Sequence, residues 1–349
     1  MLQPSPTRTR QHAASRTAPT RYLSPLRYPG AKSKLTPLIG EMIRDARDRR
    51  ALHGHVTLVE PFAGGASTTL RLLTDGVVDR AIIGDADPML SAFWHEAASA
   101  PERLVERMSD EFDRYLAIGG DVAVARWDYW RAWQPELGVS PDETRATLAV
   151  KCLFLNRTTF SGILHGSAGP IGGRAQTSDY TIGCRYPVDG LAERIRWIGH
   201  LADTGRLILV HSGTWRETLD LGVEFVDDPQ ELVAYLDPPY IEKSDRLYAT
   251  GFEGSGRAPD VWRGIGPHQA LAGYLLTTAP FRWILSYDFH PELLANGLLY
   301  GRRRTIPTLD ARAAGAGAWR IKNYTVALQH SASTQSSRRD VKELILTTL

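Results

Sequence analysis

Residues 55–88 read HVTLVEPFAGGASTTLRLLTDGVVDRAIIGDADP, and their changes of hydrophobic pattern decide the fold. The apolar run ending at Val59 is short enough for a buried strand and stops on Glu60. A glycine turn follows, then a helix through TTLRLLTDG (68–76) that Gly76 terminates. The run RAIIGDADP (80–88) repeats the theme: a strand ending in acids, then a helix opening at Pro88. Strand–helix–strand–helix is the beginning of an α/β fold on a parallel sheet.

Beyond residue 100 the alternation stops. Residues 101–155 read as helices carrying Trp127, Trp130 and Trp133, whose helical spacing predicts core packing. The last of these helices has a start signal in Ser140-Pro141-Asp142-Glu143: an N-cap, a proline in the first position and a reciprocal acid. Residues 156–187 are rich in Gly, Ser and Thr, with short β-like pieces. Strand patterns return at 206–212, 232–237, 281–288, 324–330 and 343–349. These boundaries predict a sheet domain over 24–95 plus 205–349, interrupted by a mainly helical insertion at 96–204, with residues 1–23 as a disordered basic arm. An insertion that long inside a sheet domain is usually a functional module.

The 349 residues are 43% hydrophobic and carry a net charge of +2, so a core is assured and a polyanionic partner is not demanded by charge alone. Local basic clusters (Arg8, Arg10, Arg16 and Arg21; Arg302–Arg304; Arg338 and Arg339) are compatible with nucleic acid or with plain solvated faces. No apolar run is long enough to span a membrane, and the first 20 residues lack the apolar core of a secretory signal. Cys152 and Cys184 have no metal-ligand spacing, and no metal is expected. The expected location is the cytoplasm.

Between a strand and a helix, Gly64 and Gly65 permit close backbone approach to a ligand. Asp85 ends the next strand, where an acid can grip both ribose hydroxyls of a nucleoside. Asp87 directly precedes a helix and is the better N-cap, so the ribose role is assigned to Asp85. A plain β–α turn is the structural alternative. The turn lacks the full G-x-G-x-x-G of nicotinamide sites, which points to S-adenosylmethionine.

The strand at 232–237 ends in Asp237-Pro238-Pro239-Tyr240. At the carboxyl end of a parallel strand this tip faces the ligand crevice. A planar exocyclic amine such as adenine N6 is a poor nucleophile, because its lone pair is delocalised into the ring. The Asp237 carboxylate and the Pro238 carbonyl, its direction fixed by two prolines, are two acceptors for the amine hydrogens. Tyr240 offers a face for base stacking.

In this order, the motifs resemble the Dam-like N6-adenine DNA methyltransferases in their alpha arrangement, over nearly the whole chain from Leu26. LRYPGAKSKL (26–35) is similar to the N-terminal motif, where Tyr28 and Lys32 would border the cofactor and target pocket. EPFAGGAS looks like the methionine-side motif, placing Glu60, Phe62, Gly64 and Gly65 on the cofactor, and GDADPML resembles the ribose motif with Asp85. FLNRTTFSGILHG (154–166) is similar to the signature that begins a recognition hairpin, and ILSYD (284–288) resembles the strand after the catalytic motif. One departure stands at SGTW, where Thr214 takes a commonly acidic position and leaves the adenine contact to Trp215 or the backbone.

The resemblance implies a Rossmann-like S-adenosylmethionine methyltransferase sheet with an inserted target-recognition domain. It also implies methylation of a flipped-out adenine in duplex DNA, with catalysis at Asp237, Pro238, Pro239 and Tyr240. DNA contacts are expected from Lys34, Asn156, Arg157, Arg174 and Arg185, with Lys32 nearby. Base reading is expected within 156–187, and the loop 241–267, with Arg246, Tyr248 and Trp262, is a further segment that could order over DNA. A monomer or weak dimer is expected, and a cognate restriction nuclease is left open. The rivals are an RNA adenine methyltransferase, a silent DNA-binding partner of a modification system, and a dehydrogenase.

Overall fold

The computed structural model describes residues 23–27, 34–241, 265–301, 305–307, 318–329 and 340–349. Tyr28, Lys32, the N-terminal arm, Arg246, Tyr248, Trp262, Arg302–Arg304, Arg338 and Arg339 lie outside the described residues.

After helix α1 (Thr36–Asp48), the chain forms β1 (Thr57–Glu60), α2 (Ser67–Thr74), β2 (Arg80–Asp85) and α3 (Pro88–Ser99). This is the succession expected from residues 55–88. Gly76 ends α2 with φ +66°, a left-handed conformation that favours glycine. Helices α4 (Pro101–Glu111), α5 (Gly120–Ala132), α6 (Pro141–Thr158) and α7 (Val188–Asp203) then precede β3 (Leu207–Ser212) and α8 (Trp215–Glu224). The chain continues with β4 (Leu232–Leu236), α9 (Gly266–Thr277), β5 (Arg282–Asp288) and the short α10 (Glu292–Ala295). A small ribbon of β6 (Thr305–Pro307) and β7 (Ala318–Arg320) is followed by β8 (Lys322–Gln329) and β9 (Asp340–Thr347).

Seven strands form one sheet in the order β3-β2-β1-β4-β5-β9-β8. The first five are mutually parallel, and β9 runs antiparallel to both β5 and β8. Strand order reverses direction between β1 and β4, which is where an open parallel sheet leaves a crevice beyond its carboxyl ends. A mixed α/β sheet of this kind is compatible with a methyltransferase fold.

Each face of the sheet buries its own apolar cluster. Val59, Ala234, Leu236 and Leu285 face α8 and α9 through Leu219, Leu271 and Leu275. Leu58, Tyr235 and Ile284 share the opposite cluster with Ile39, Phe93, Leu153 and Ile198 of the helices. Trp127 and Trp130 belong to that cluster and are 5% and 4% exposed, as their spacing predicted; Trp133 packs at its edge. Helices α4–α7 therefore share a core with the sheet, and among the described residues they form no separate one.

The recognition hairpin expected from residue 154 onward differs. Helix α6 continues through Thr158, so Asn156 and Arg157 lie in its last turn. The loop beyond α6 pairs through a single β-bridge, Thr159 with Pro170. Positive φ at Gly162, Gly166, Gly172 and Gly173 turns the segment too often for a ladder to extend.

Candidate active site

Parallel pairing brings the carboxyl ends of β1, β2 and β4 side by side, and each presents an acid: Glu60, Asp85 and, one residue past its strand, Asp237. Gly64 adopts φ +46° and Ala66 φ +43°, which folds the turn tightly over the tip of β2. The Asp85 carboxylate closes that turn. Its Oδ2 accepts from the Gly64 N–H at 2.8 Å and its Oδ1 from the Asp87 N–H at 2.9 Å. Trp94 of α3 donates from Nε1 to the Gly64 carbonyl at 2.9 Å, so the turn is gripped from both sides.

Burial opposes the ionisation of Glu60 and Asp85. Burial, opposed by the Thr69 hydroxyl and assisted by the Asp237 and Asp85 charges, raises Glu60 to about 8. Asp85 is raised to about 7 by burial and by Asp87. Thr69 hydrogen-bonds the Glu60 carboxyl, which is 4% exposed. Gly64 and Gly65 are both buried, and Phe62 packs at the edge of the second apolar cluster.

Asp87 caps α3, accepting from Met89 N–H at 2.8 Å and Leu90 N–H at 3.4 Å, as its position predicted. Its other oxygen pairs with His165 Nε2, which sequence reasoning missed. Burial alone would raise Asp87, but the His165 charge, the His165 bond and the helix cap hold it below the usual carboxylate range. His165 is correspondingly raised: Asp87 outweighs the effect of burial. No sequence signal pointed to this pair, because a histidine in a glycine-rich loop has no periodicity and its partner is 78 positions away.

At the β4 tip, Pro238 and Pro239 are buried and Asp237 is partly exposed. Ser286 of β5 donates to Asp237 Oδ1 at 3.1 Å, and the Tyr240 hydroxyl donates to Glu343 Oε1 of β9 at 3.4 Å. The tip is thus tied to β5 beside it and to β9 one strand further out. Thr214 caps α8 in a full capping box with Glu217, which accounts locally for a threonine where an acid is common. Trp215 is 8% exposed and packs edge-on to Tyr274 with ring centroids 5.5 Å apart, so most of its ring belongs to the core.

The expected DNA contacts divide into two sets. Lys34, Arg174 and Arg185 are exposed; Arg174 forms a two-pronged pair with Asp128 at 2.7 and 2.9 Å, and Arg185 sits 5.9 Å over the Tyr180 ring. Asn156 and Arg157 are 0% and 6% exposed, so burial removes both from the surface on which DNA contacts, and for Arg157 a phosphate contact, were expected. Asn156 pairs with the backbone of Arg27, its Oδ1 accepting at 2.6 Å and its Nδ2 donating at 2.6 Å, as a neighbouring strand would. Arg157 donates from Nε to the Pro25 carbonyl at 2.6 Å. Burial and the nearby Arg194, Arg27 and Arg185 pull Arg157 down to about 9. The pair fastens segment 23–27 onto α6. Just beyond it, the Phe160 ring is 67% exposed on a turn fixed by Ser161 at φ +59° and Gly162 at φ +74°.

Carboxylates and a glycine turn thus meet at the switch point of a parallel sheet, the place where open α/β folds bind their ligands. Residues 28–166 match the family model described as D12 class N6 adenine-specific DNA methyltransferase. The match indicates an adenine-specific DNA methyltransferase and accords with the Dam-like resemblance. It contains Glu60, Gly64, Asp85 and His165 and stops short of Asp237. A comparison with curated proteins found no match. Among the described residues, no helix is long and apolar enough to cross a membrane, and no cluster of His, Cys, Asp and Glu is arranged to hold a metal ion.

Proposed function

We propose that the chain transfers a methyl group from S-adenosylmethionine to N6 of an adenine flipped out of duplex DNA, with Asp237 at the reacting amine. The observation that carries this reading is the convergence of Glu60, Asp85 and Asp237 on one crevice around a glycine turn. The residues present fit the cofactor. A sulfonium with an α-amino group is cationic, and a crevice where burial and neighbouring acids raise Glu60 and Asp85 is one whose carboxylates a cation would stabilise. Glu60, Phe62, Gly64, Gly65 and Asp85 would hold it, with Asp85 on the ribose hydroxyls. When bound, it supplies an electrophilic methyl group.

The chain's own residues prepare the acceptor. Asp237 and the Pro238 carbonyl take the two hydrogens of the adenine amine, which draws its lone pair out of the ring. They stabilise the positive charge that grows on nitrogen during methylation, and Asp237 lies in place to take the proton that nitrogen then sheds. Tyr240, anchored through Glu343, stacks on the flipped base. Unstacking an adenine costs about a few kcal/mol. The exposed Phe160 ring is suited to fill the gap as an apolar wedge. Lys34, Arg174 and Arg185 supply phosphate contacts; releasing Arg174 for this requires exchanging Asp128 for phosphate. The division into a catalytic sheet and a DNA-reading insertion at 96–204 belongs to the same reading.

The test is transfer of labelled methyl groups to deoxy and ribo oligonucleotides containing adenine, with Asp237→Ala as control. Transfer to duplex DNA that Asp237→Ala abolishes is expected. DNA binding without transfer by the unaltered protein would instead establish a silent binding module, and preference for the ribo substrate would establish an RNA enzyme.

A further inference from the structure

The register of β4 and β5 places a second pair of polar side chains behind the catalytic acid. Tyr235 lies level with Ile284 and Leu236 with Leu285, so one step further brings Asp237 level with Ser286. Side chains alternate along a strand, and Tyr235, Asp237, Ile284 and Ser286 therefore share one face. The Ser286 hydroxyl is 3.1 Å from Asp237 Oδ1, 3.2 Å from the Tyr235 hydroxyl and 3.4 Å from the Leu236 carbonyl. Tyr235 and Ser286 are both fully buried.

We propose that Ser286, backed by Tyr235, is the positioning residue that fixes the Asp237 carboxylate for methyl transfer. This rests on the reading of Asp237 as acceptor for the adenine amine. The direction of the relay comes from counting protons. An ionised carboxylate only accepts, as does the Leu236 carbonyl at 3.4 Å, and the Ser286 proton goes to Asp237 as the nearer and charged acceptor at 3.1 Å. Its oxygen then accepts from Tyr235, whose hydroxyl keeps its proton because burial and the Asp237 charge push its pKa far up. The chain runs Tyr235 to Ser286 to Asp237, and each donor faces the acid.

The relay has two effects on the acid. A carboxylate free to rotate about its Cα–Cβ and Cβ–Cγ bonds would have to be ordered at each turnover; a fixed one is already aimed. A donor on Oδ1 also favours the ionised form of the carboxylate. Ser286 also gives the buried Tyr235 hydroxyl its partner, a structural role that stability measurements read separately from the acid limb.

The experiment compares the unaltered enzyme with Ser286→Ala, Tyr235→Phe and Asp237→Ala. Single-turnover methyl transfer to long PCR-amplified duplex DNA is followed across pH, beside equilibrium binding of DNA and S-adenosylmethionine. For Ser286→Ala the rate is expected to fall about 10- to 100-fold, as for loss of one hydrogen bond to a charged group. Its acid limb should move up by about one pH unit, because the ionised carboxylate loses a donor. Tyr235→Phe is expected to shift the limb in the same direction by less, and both binding constants should stay within about twofold of the original.

A wild-type rate and acid limb in Ser286→Ala, with Asp237→Ala inactive, would overturn the relay alone. So would a lowered melting temperature with the rate per folded molecule unchanged. If Ser286→Ala does not fold, Tyr235→Phe decides by the same limb: a shift supports the relay and no shift overturns it. Turnover by Asp237→Ala at the original rate would defeat the underlying reading instead.

Discussion

Replacing Asp85 by Asn separates the two jobs assigned to this side chain. Its oxygens accept from the backbone of Gly64 and Asp87 at 2.8 and 2.9 Å. Asparagine has nearly the same shape, but its NH2 must face one of those two N–H groups. One backbone donor in a partly buried turn loses its acceptor, which destabilises by about 2 kcal/mol. With unfolding entropy of about 2 cal/mol/K per residue, a chain of this size should melt about 3 °C lower. The ribose hydroxyls lose a charged acceptor as well, and the cofactor dissociation constant should rise roughly 10- to 100-fold. At a concentration near 100 times the original constant, the cofactor stabilises the unaltered protein by about 2.7 kcal/mol and the variant by about 1.4 kcal/mol or less. Thermal melts with and without S-adenosylmethionine, paired with calorimetric titration, measure both quantities. A variant that melts lower yet keeps the full cofactor-induced shift would refute the ribose assignment and leave Asp85 as a turn-closing residue only. Because Asp85 is raised to about 7, cofactor affinity should also weaken as pH falls below that value, where a proton competes.

The Asp87–His165 pair gives a stability prediction with a definite sign. His165 is raised from 6.5, so its contribution is complete below that pH and is lost as pH rises through the folded value. Asp87 is lowered from 3.8, so its contribution is complete above that pH and is lost on acidification. Urea unfolding should therefore show His165→Gln most destabilising between about pH 4 and 6.5, with the difference shrinking at alkaline pH; a constant difference would contradict the ion pair. Among the arginines, Arg157→Ala should destabilise by about 2 kcal/mol, because the Pro25 carbonyl loses its buried donor, and should leave the salt dependence of DNA binding unchanged. Arg185→Gln should do the opposite, lowering the slope of log affinity against log salt by about one with little effect on melting.

How much of this was legible in the chain depends on the range over which each property is set. The strand at 57–60, the glycine turn, the acid ending β2 and the cap at Asp87 were all readable, because hydrophobic period, backbone freedom and capping chemistry act over a few residues. Local rules also favour a strand with a rigid tip at Asp237-Pro238-Pro239. Asn156 and Arg157 show where such reading stops. Two polar residues beside a glycine-rich loop look like surface contacts, yet both are buried, because segment 23–27 passes over the end of α6 and needs its backbone groups satisfied. The hairpin expected there contracted to one bridge for a local reason, its repeated positive-φ glycines, which composition disclosed only in part.

By itself, then, the sequence determined the alternation of strands and helices, the acids at the strand tips and the stiff proline corner, since each arises from the chemistry of neighbouring residues. Tertiary structure alone decided which acids would meet. Parallel pairing of β1 with both β2 and β4 brings Glu60, Asp85 and Asp237 to one edge, and pairing of β4 with β5 sets Ser286 behind the last of them. His165 reaches Asp87 only because the helices after α3 pack back onto it. Those partners lie far apart along the chain, and strand register and helix packing, which no local pattern encodes, put them within hydrogen-bond reach.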